Sequence, residues 1–200
     1  MKYLKYIINI IRSYIYDFYY FLFENFDSRV LATDYKTYKA FKYYPDFQKH
    51  GNAIDNVKFL AQKYCQGKGA DIGSGVWGLI GEGLEAKPIE NNDENAYNII
   101  EDDCSLDFIF SSHLLEHLDE PLKALHHWDN KLKENGILFL YLPHPASQMW
   151  NKENLKFHIW NPDPLYLEKT LINMNFSIEY ITYLPDGYNS FVVVAKKKNK

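Results

Sequence analysis

The sequence is poor in cysteine, has no excess of basic residues and lacks an uninterrupted apolar stretch of membrane-spanning length. Its two cysteines, Cys65 and Cys104, cannot build the disulfide framework of a small secreted protein and show no metal-ligand spacing. We therefore expect a reducing, cytoplasmic location. Lysine and arginine number 22 against 26 aspartate and glutamate residues, and the one dense cationic run is the terminal KKKNK. A nucleic-acid partner is not expected.

The N-terminus, MKYLKYIINIIRSYIYDFYYFLFENF, is rich in apolar and aromatic residues. Charged residues interrupt each of its apolar runs, so we predict no transmembrane segment; they are Lys5, Arg12, Asp17 and Glu24. Residues 2–25 are predicted to form a helix. This helix is expected to pack on its own domain or on a second copy of the chain as a homo-oligomer contact, with peripheral membrane contact as the alternative. Residues 27–51 lack firm periodicity and read as a connector.

Strand and helix patterns alternate from residue 52 onward. GADIG, AKPIE, SLDFIFSS and GILFLYLP predict buried strands. Helices are predicted over NAIDNVKFLAQKYCQGKG, over NPDPLYLEKTLINMNF, and over DEPLKALHHWDNKLKENG with Asp119 as N-cap and Gly136 past its end. SIEYITYLPDGYNSFVVVAKK reads as a closing hairpin. We predict an extension over residues 1–51 and one three-layer α/β domain over residues 52–200, with a mostly parallel sheet and an antiparallel C-terminal hairpin.

The glycine-rich stretch GADIGSGVWGLIGEG indicates a nucleoside ligand. Gly73, Gly75 and Gly78 satisfy G-x-G-x-x-G after a strand, and Glu90 lies at the distance expected of a ribose carboxylate, as in dinucleotide sites. Two further glycines oppose the helix that would hold a pyrophosphate, and the following ENNDENAYNIIEDD is acidic. These features favour a cationic adenosine ligand such as S-adenosyl-L-methionine (SAM). An NAD-dependent oxidoreductase is the alternative.

The same motifs resemble the class I SAM-dependent methyltransferases, in particular the small type 11 domains, over residues 65–195. DIGSG is similar to the family's first motif, D-x-G-x-G; LDFIFSSHLLEHLDEP is similar to its fourth strand and the following turn, and LKENGILFLYLPH to its fifth. The resemblance implies a Rossmann-like sheet and SAM as cofactor. It assigns cofactor binding to Asp71, Gly73, Ser74, Gly75, Glu90, Asn95, Ala96 and Ser111.

One part of the chain departs from the family. Only a short stretch separates DIGSG from LDFIF, so we expect the helix after the first strand and the family's third strand to be shortened or absent. The cofactor pocket is then more open on that side, or covered by the N-terminal segment. Asn95 stands where the family often has aspartate, which puts the contact to the adenine amino group in doubt.

Methyl transfer from a sulfonium mainly requires alignment of the reactants, which can supply about 7–11 kcal/mol of the barrier. A metal is not required. An oxygen acceptor also needs its proton removed, and we take His144 and His113 as candidate bases because they end the two predicted central strands, with His144 preferred. His158 and Trp160 are candidates for closing over the acceptor. For each of these four residues, local packing or strand capping is the alternative.

We therefore expect a SAM-dependent methyltransferase that acts on a small molecule at oxygen. The resemblance implies a sugar, a nucleotide-linked sugar or a related surface-glycan precursor as acceptor. A non-catalytic relative that binds SAM or a partner chain is a further alternative, because the middle section is short and the N-terminal helix is apolar. Glu116 and His117 are expected to fix the loop after the family's fourth strand.

Overall fold

The computed structural model describes residues 54–74, 79, 85–89, 94–147, 158–186 and 189–199. The predicted N-terminal helix and connector lie outside these residues, as do Gly75, Gly78 and Glu90. The described elements are helices α1 (Ile54–Tyr64), α2 (Pro121–Lys131) and α3 (Pro164–Asn173), a short 3-10 helix (Leu115–His117), and strands β1 (Lys68–Ile72), β2 (Glu85–Ile89), β3 (Leu106–Ser112), β4 (Leu132–Pro143), β5 (Phe176–Ile181) and β6 (Ser190–Lys197). Among these helices, none has the length and apolar character needed to cross a bilayer.

The six strands form one sheet in the order β2-β1-β3-β4-β6-β5. β1 to β4 are parallel, and β6 runs antiparallel to both β4 and β5. The predicted parallel sheet with an antiparallel C-terminal hairpin is therefore confirmed. From β1 the chain moves outward to β2 and then returns across β1 to β3. After β1 the chain continues to one side of the sheet and after β3 to the other, and in such sheets ligands bind at this switch point, at the carboxyl ends of the strands.

Apolar side chains cover both faces of the sheet, as expected where helices pack on each side. On one face, Leu125 and Trp128 of α2 and Leu171 of α3 join a buried cluster with the strands. On the other face, Val57 and Ala61 of α1 pack against phenylalanines of β3 and β4. The three-layer arrangement predicted from the sequence is confirmed.

The boundary between α2 and β4 lies earlier than the sequence predicts. α2 ends at Lys131 instead of continuing to Asn135. Leu132 already pairs with Leu106 of β3, and the register then shifts before Phe108. Asn135 has a positive φ of 63°, a conformation that asparagine tolerates at turns and bulges. Asn135 and Gly136, which the sequence indicates as the end of a helix, thus lie at an irregularity inside β4.

The predicted N-cap of α2 is wrong. Glu120 occupies that position and makes no side-chain capping hydrogen bond. Asp119 instead accepts a hydrogen bond from Tyr97 Oη at 2.5 Å, and this hydroxyl also accepts one from Glu120 N at 3.1 Å. The carboxylate therefore ties the loop after β2 to the start of α2.

The section between β2 and β3 is short, as predicted. Within residues 94–105 the structure shows an isolated bridge between Asn95 and Asn98 and no strand. β2 is consequently an edge strand in the part of the sheet that the structure describes.

Candidate functional site

A cavity of about 540 Å³ opens at the carboxyl ends of β1 and β2. We call it the cofactor cavity; it is lined by Ile72, Gly73, Ile89, Asn95, Ala96, Tyr97, Leu114 and Leu118. Its volume lies in the range of small-molecule sites. Apolar side chains with a few main-chain polar groups suit the flat, weakly polar faces of a nucleoside.

Gly73 forms the part of this wall that follows β1. Its φ of 76° lies in the left-handed region, which a residue with a side chain rarely adopts. A Cβ atom here would also come within 2.8 Å of Leu114 Cδ2. The Gly73 N–H donates to Ile89 O at 3.1 Å, which joins the turn to β2. Glycine is required both for the turn and for the approach of Leu114.

Three other predicted cofactor residues, Asp71, Ser74 and Ser111, are buried around this turn. Asp71 Oδ2 accepts a hydrogen bond from Leu79 N at 2.7 Å, and Ser111 Oγ donates to Ile72 O at 3.1 Å. Asp71 therefore holds the glycine loop, and Ser111 links β3 to β1. Both stand behind the described cavity wall. Their assignment to cofactor binding stays a prediction.

Asn95 and Ala96 lie in the wall of the cofactor cavity, and their assignment to cofactor binding stays a prediction. The Asn95 side chain accepts from Tyr97 N at 2.9 Å, so it is bonded to its own loop. Trp128 Nε1 donates to Ala96 O at 2.8 Å from the buried face of α2. The sequence did not reveal Trp128 as a support of the cavity, because no local pattern connects it to Ala96.

A second cavity, also of about 540 Å³, adjoins the first and shares Leu118 with it. We call it the aromatic cavity; it is lined by Leu118, Asp119, Pro121, Ile159, Trp160, Asn161, Asp163 and Tyr166. The rings of Trp160 and Tyr166 meet edge to face at 6.3 Å. Trp160 Nε1 donates to Leu115 O at 2.7 Å, which fixes the indole in the wall. Trp160 thus lies in a wall of the aromatic cavity, and its predicted closure over the acceptor stays a prediction.

His144 follows β4 and is buried. Its Nε2 lies 3.0 Å from Tyr183 O and therefore carries the proton, while Nδ1 accepts from Ala146 N at 3.2 Å. Burial lowers the pKa of the imidazole to about 4, so the ring is neutral at pH 7. With both ring nitrogens bonded to main chain, the geometry favours a structural role. The assignment of His144 as base stays a prediction.

His113 follows β3 with a positive φ of 50°. Its Nε2 lies 2.9 Å from Ser190 Oγ, and its main-chain N–H donates to Tyr141 O at 2.8 Å. Burial lowers the pKa of this ring to about 3. Neither His113 nor His144 belongs to the described walls of the two cavities, and the role of His113 as base also stays a prediction.

Glu116 is the centre of a histidine cluster that the sequence did not reveal. The carboxylate is fully buried, and burial raises its pKa to about 8. Its Oε1 lies 3.6 Å from His113 Nδ1, 3.8 Å from His117 Nε2 and 4.0 Å from His158 Nε2. The Glu116 main-chain carbonyl accepts from Ile159 N at 2.9 Å, which holds the segment of His158 against the 3-10 helix. His113, Glu116 and His117 are close in sequence, and a tertiary contact adds His158.

The family model of a methyltransferase domain matches residues 21–178, more than half of the chain. A search of curated proteins finds no match. Solved structures with the same fold include SAM-dependent methyltransferases from three organisms. That from Thermotoga maritima has 17% identity and a TM-score of 0.58, with 86% of this chain and 98% of that chain covered. The Archaeoglobus fulgidus structure has 20% identity and a TM-score of 0.55, with coverage of 72% and 95%. The Aquifex aeolicus structure has 16% identity and a TM-score of 0.55, with coverage of 78% and 99%.

Proposed function

Since the chain belongs to the class I SAM-dependent methyltransferases, we propose that it methylates an oxygen atom of a small-molecule acceptor, with an uncharged sugar as the favoured class. SAM is the cofactor of this family, so the nicotinamide alternative is set aside. The acceptor and the methylated atom are the proposed part.

The cofactor cavity has the chemistry that SAM requires. Ile72, Ile89 and Leu114 offer apolar surface for the purine, and Asn95 and Tyr97 lie in the same wall. No arginine or lysine is among the described lining residues, as suits a cofactor with a cationic sulfonium and no phosphate. When bound, SAM supplies an activated methyl group on that sulfonium. The residues of the cavity bind the nucleoside and hold it in place.

The observation that carries the proposal is the aromatic cavity beside it. Trp160 and Tyr166 present rings that suit the apolar face of a sugar, and three side chains with acceptor oxygens lie around them. These are Asp119, Asn161 and Asp163. The described wall has no basic residue, and its two carboxylates would repel a pyrophosphate. A free sugar is therefore favoured over a nucleotide-linked one.

A primary amine is the second candidate acceptor. Two carboxylates and two aromatic rings around one cavity also suit a cation. In Asp119 and Asp163, however, one carboxylate oxygen already accepts a hydrogen bond, from Tyr97 Oη and from Tyr166 N respectively. Each hydrogen bond occupies one oxygen and fixes the orientation of the carboxylate but leaves its negative charge, so the amine is tested beside the sugar.

The test is a turnover assay with the full chain, SAM and three acceptor classes: neutral sugars, nucleotide-linked sugars and primary amines. We expect S-adenosylhomocysteine and an O-methylated product with neutral sugars, identified by mass spectrometry and NMR. Methylation of amines alone would overturn the oxygen assignment. Binding of SAM with no product from any class would overturn the choice of a small-molecule acceptor. A parallel titration with NAD is expected to show no binding.

A variant pair locates the acceptor in the aromatic cavity. Trp160→Ala removes the stacking ring and should lower kcat/KM at least about tenfold with SAM affinity retained. Trp160→Phe keeps a ring, so its kcat/KM should lie between those of Trp160→Ala and the native chain. Ile172→Ala, on the exposed side of α3, is the control with native turnover. If Trp160→Ala loses SAM affinity by as large a factor as it loses kcat/KM, the residue binds the cofactor instead of the acceptor.

A further inference from the structure

We propose that Glu116, His117 and His158 form a binding site for a divalent transition-metal ion, with Zn²⁺ as the first choice. Each residue offers one ligand atom, and the three atoms lie within 4.8 Å of one another. The inference goes beyond methyl transfer. It also departs from our expectation, from the sequence, that the reaction requires no metal.

Glu116 supplies the first reason. Its side chain is fully buried, and neither Oε1 nor Oε2 has a hydrogen-bond partner among the described residues. Buried carboxylates in native structures are normally paired, hydrogen-bonded or bound to a metal. The Glu116 side chain, with three imidazoles within 4.0 Å of its Oε1, is therefore a candidate ligand for a cation.

The distances supply the second reason. The His117 and His158 nitrogens lie 3.8 and 4.0 Å from Glu116 Oε1, too far for hydrogen bonds of about 2.7–3.2 Å. Metal–ligand bonds of about 2.0–2.2 Å place neighbouring ligands of a tetrahedral site about 3.4 Å apart. The two Glu116–histidine distances would have to shorten by roughly half an ångström, and the widest separation in the group, up to 4.8 Å, by more than one ångström, to reach this geometry. The spacing suits three ligand atoms that bind one metal ion between them.

The donor set indicates the kind of metal. Two imidazoles and one carboxylate suit Zn²⁺ and neighbouring transition metals, whereas Mg²⁺ and Ca²⁺ prefer oxygen ligands alone. Three protein ligands leave a coordination position for a small molecule. The His117 side chain is 36% exposed, so such a molecule can reach the cluster from solvent. His113 lies beside the cluster and is the nearest further donor.

The frame around the ligands is rigid. The 3-10 helix carries Glu116 and His117 on adjacent positions. The bond from Ile159 N to Glu116 O at 2.9 Å, and that from Trp160 Nε1 to Leu115 O at 2.7 Å, bring His158 to the same place. A site supported in this way needs little rearrangement to bind an ion.

The experiment uses the full chain, stripped with a chelator and titrated with Co²⁺ and then with Zn²⁺. We expect one Co²⁺ per chain with the strong visible absorption of a four- or five-coordinate ion, displaced by Zn²⁺. Glu116→Gln, His117→Gln and His158→Gln should each weaken binding by at least about tenfold. His126→Gln, an exposed histidine of α2, is the matched control with native binding.

His117→Gln keeps the test decisive if a buried variant fails to fold, because this side chain is partly exposed. Absence of the absorption bands, or equal Co²⁺ binding by His117→Gln and His126→Gln, would overturn the site. A buried water or a charged histidine network would then bridge the cluster. SAM affinity is measured on the same metal-free sample, so failure of the metal site is distinguished from failure of the cofactor cavity.

Discussion

Two buried carboxylates at the ends of neighbouring strands show how differently one chemical group can be used. Asp71 at the end of β1 is 1% exposed, and Leu79 N donates to its Oδ2 at 2.7 Å. Glu116 after β3 is 0% exposed, and neither oxygen has a hydrogen-bond partner among the described residues. One oxygen of the first carboxylate is hydrogen-bonded to its own chain and therefore holds a loop. The second makes no such bond within the described part of the chain, and we propose it as a metal ligand.

Removal of Asp71 tests the carboxylate that is hydrogen-bonded to the glycine loop. Asp71→Ala leaves the buried Leu79 N–H without its acceptor, so the free energy of unfolding should fall by about 3 kcal/mol. Because the glycine loop loses its anchor, SAM should also bind at least about tenfold more weakly. Urea denaturation and calorimetric titration check the two effects. Asp71→Asn retains an acceptor oxygen and should lose less; equal stability of Asp71→Ala and the native chain would refute the anchoring role.

Glu90 extends the comparison to a carboxylate that is expected to contact the ligand. It lies outside the described residues, so this prediction rests on the sequence alone. As a ribose-binding carboxylate it should contribute affinity and little stability: Glu90→Ala should weaken SAM binding by roughly 1.5–3 kcal/mol with the free energy of unfolding retained. Calorimetric titration is the measurement, with Glu120→Ala as the exposed control. Unchanged affinity would remove Glu90 from the site.

His144 is a third buried group. Like Asp71 it is hydrogen-bonded to the main chain, in this case through both ring nitrogens. Its pKa falls from 6.5 to about 4 through burial, opposed by the Tyr183 carbonyl and by Asp163. As the pH falls, the unfolded chain therefore binds a proton at this ring at a higher pH than the folded chain does. Its contribution to stability is complete above pH 6.5 and is lost as the pH falls towards 4, by about 2 kcal/mol between pH 7 and pH 5.

His144→Asn should flatten this part of the pH dependence of unfolding, measured by urea denaturation at pH 7 and pH 5. Turnover at pH 7 separates the two roles of the residue. Reduced kcat with an unchanged pH dependence of stability would support the catalytic base that the sequence indicated, instead of the structural role.

The smallest effect is expected for Glu116→Gln in the metal-free chain. The change preserves the shape of the side chain and removes no hydrogen bond, so the free energy of unfolding should shift by less than about 1 kcal/mol. Asp71→Asn, measured beside it by urea denaturation, should shift more. If Glu116→Gln destabilises the chain as strongly as Asp71→Ala, the two carboxylates are alike and the contrast between them is wrong.

Local patterns predicted the layers and strand directions because burial imposes a period on the sequence. GILFLYLP has the apolar character of a strand covered on both faces, and β4 includes it. The antiparallel pairing of β5 and β6 was readable from the turn residues Pro185, Asp186 and Gly187 between two strand patterns. DIGSG located the turn of Gly73 because a left-handed backbone next to a packed side chain excludes other residues.

Contacts between distant parts of the chain were not readable in this way. Asp119 looked like a helix cap because nothing local indicates that Tyr97 occupies its carboxylate. His158 was assigned to the acceptor, and its approach to Glu116 depends on how residues 158–160 pack onto the 3-10 helix. A sequence pattern reports which side chains are buried, but the partners of a polar group are set by tertiary packing.

Leu118 lies in the walls of both cavities, so one aliphatic side chain forms part of the partition between two chambers. With the cofactor in one cavity and the acceptor in the other, as proposed, the two reactants meet across this side chain. Trimming this leucine would join the chambers and should widen the range of molecules accepted, at the expense of accurate alignment.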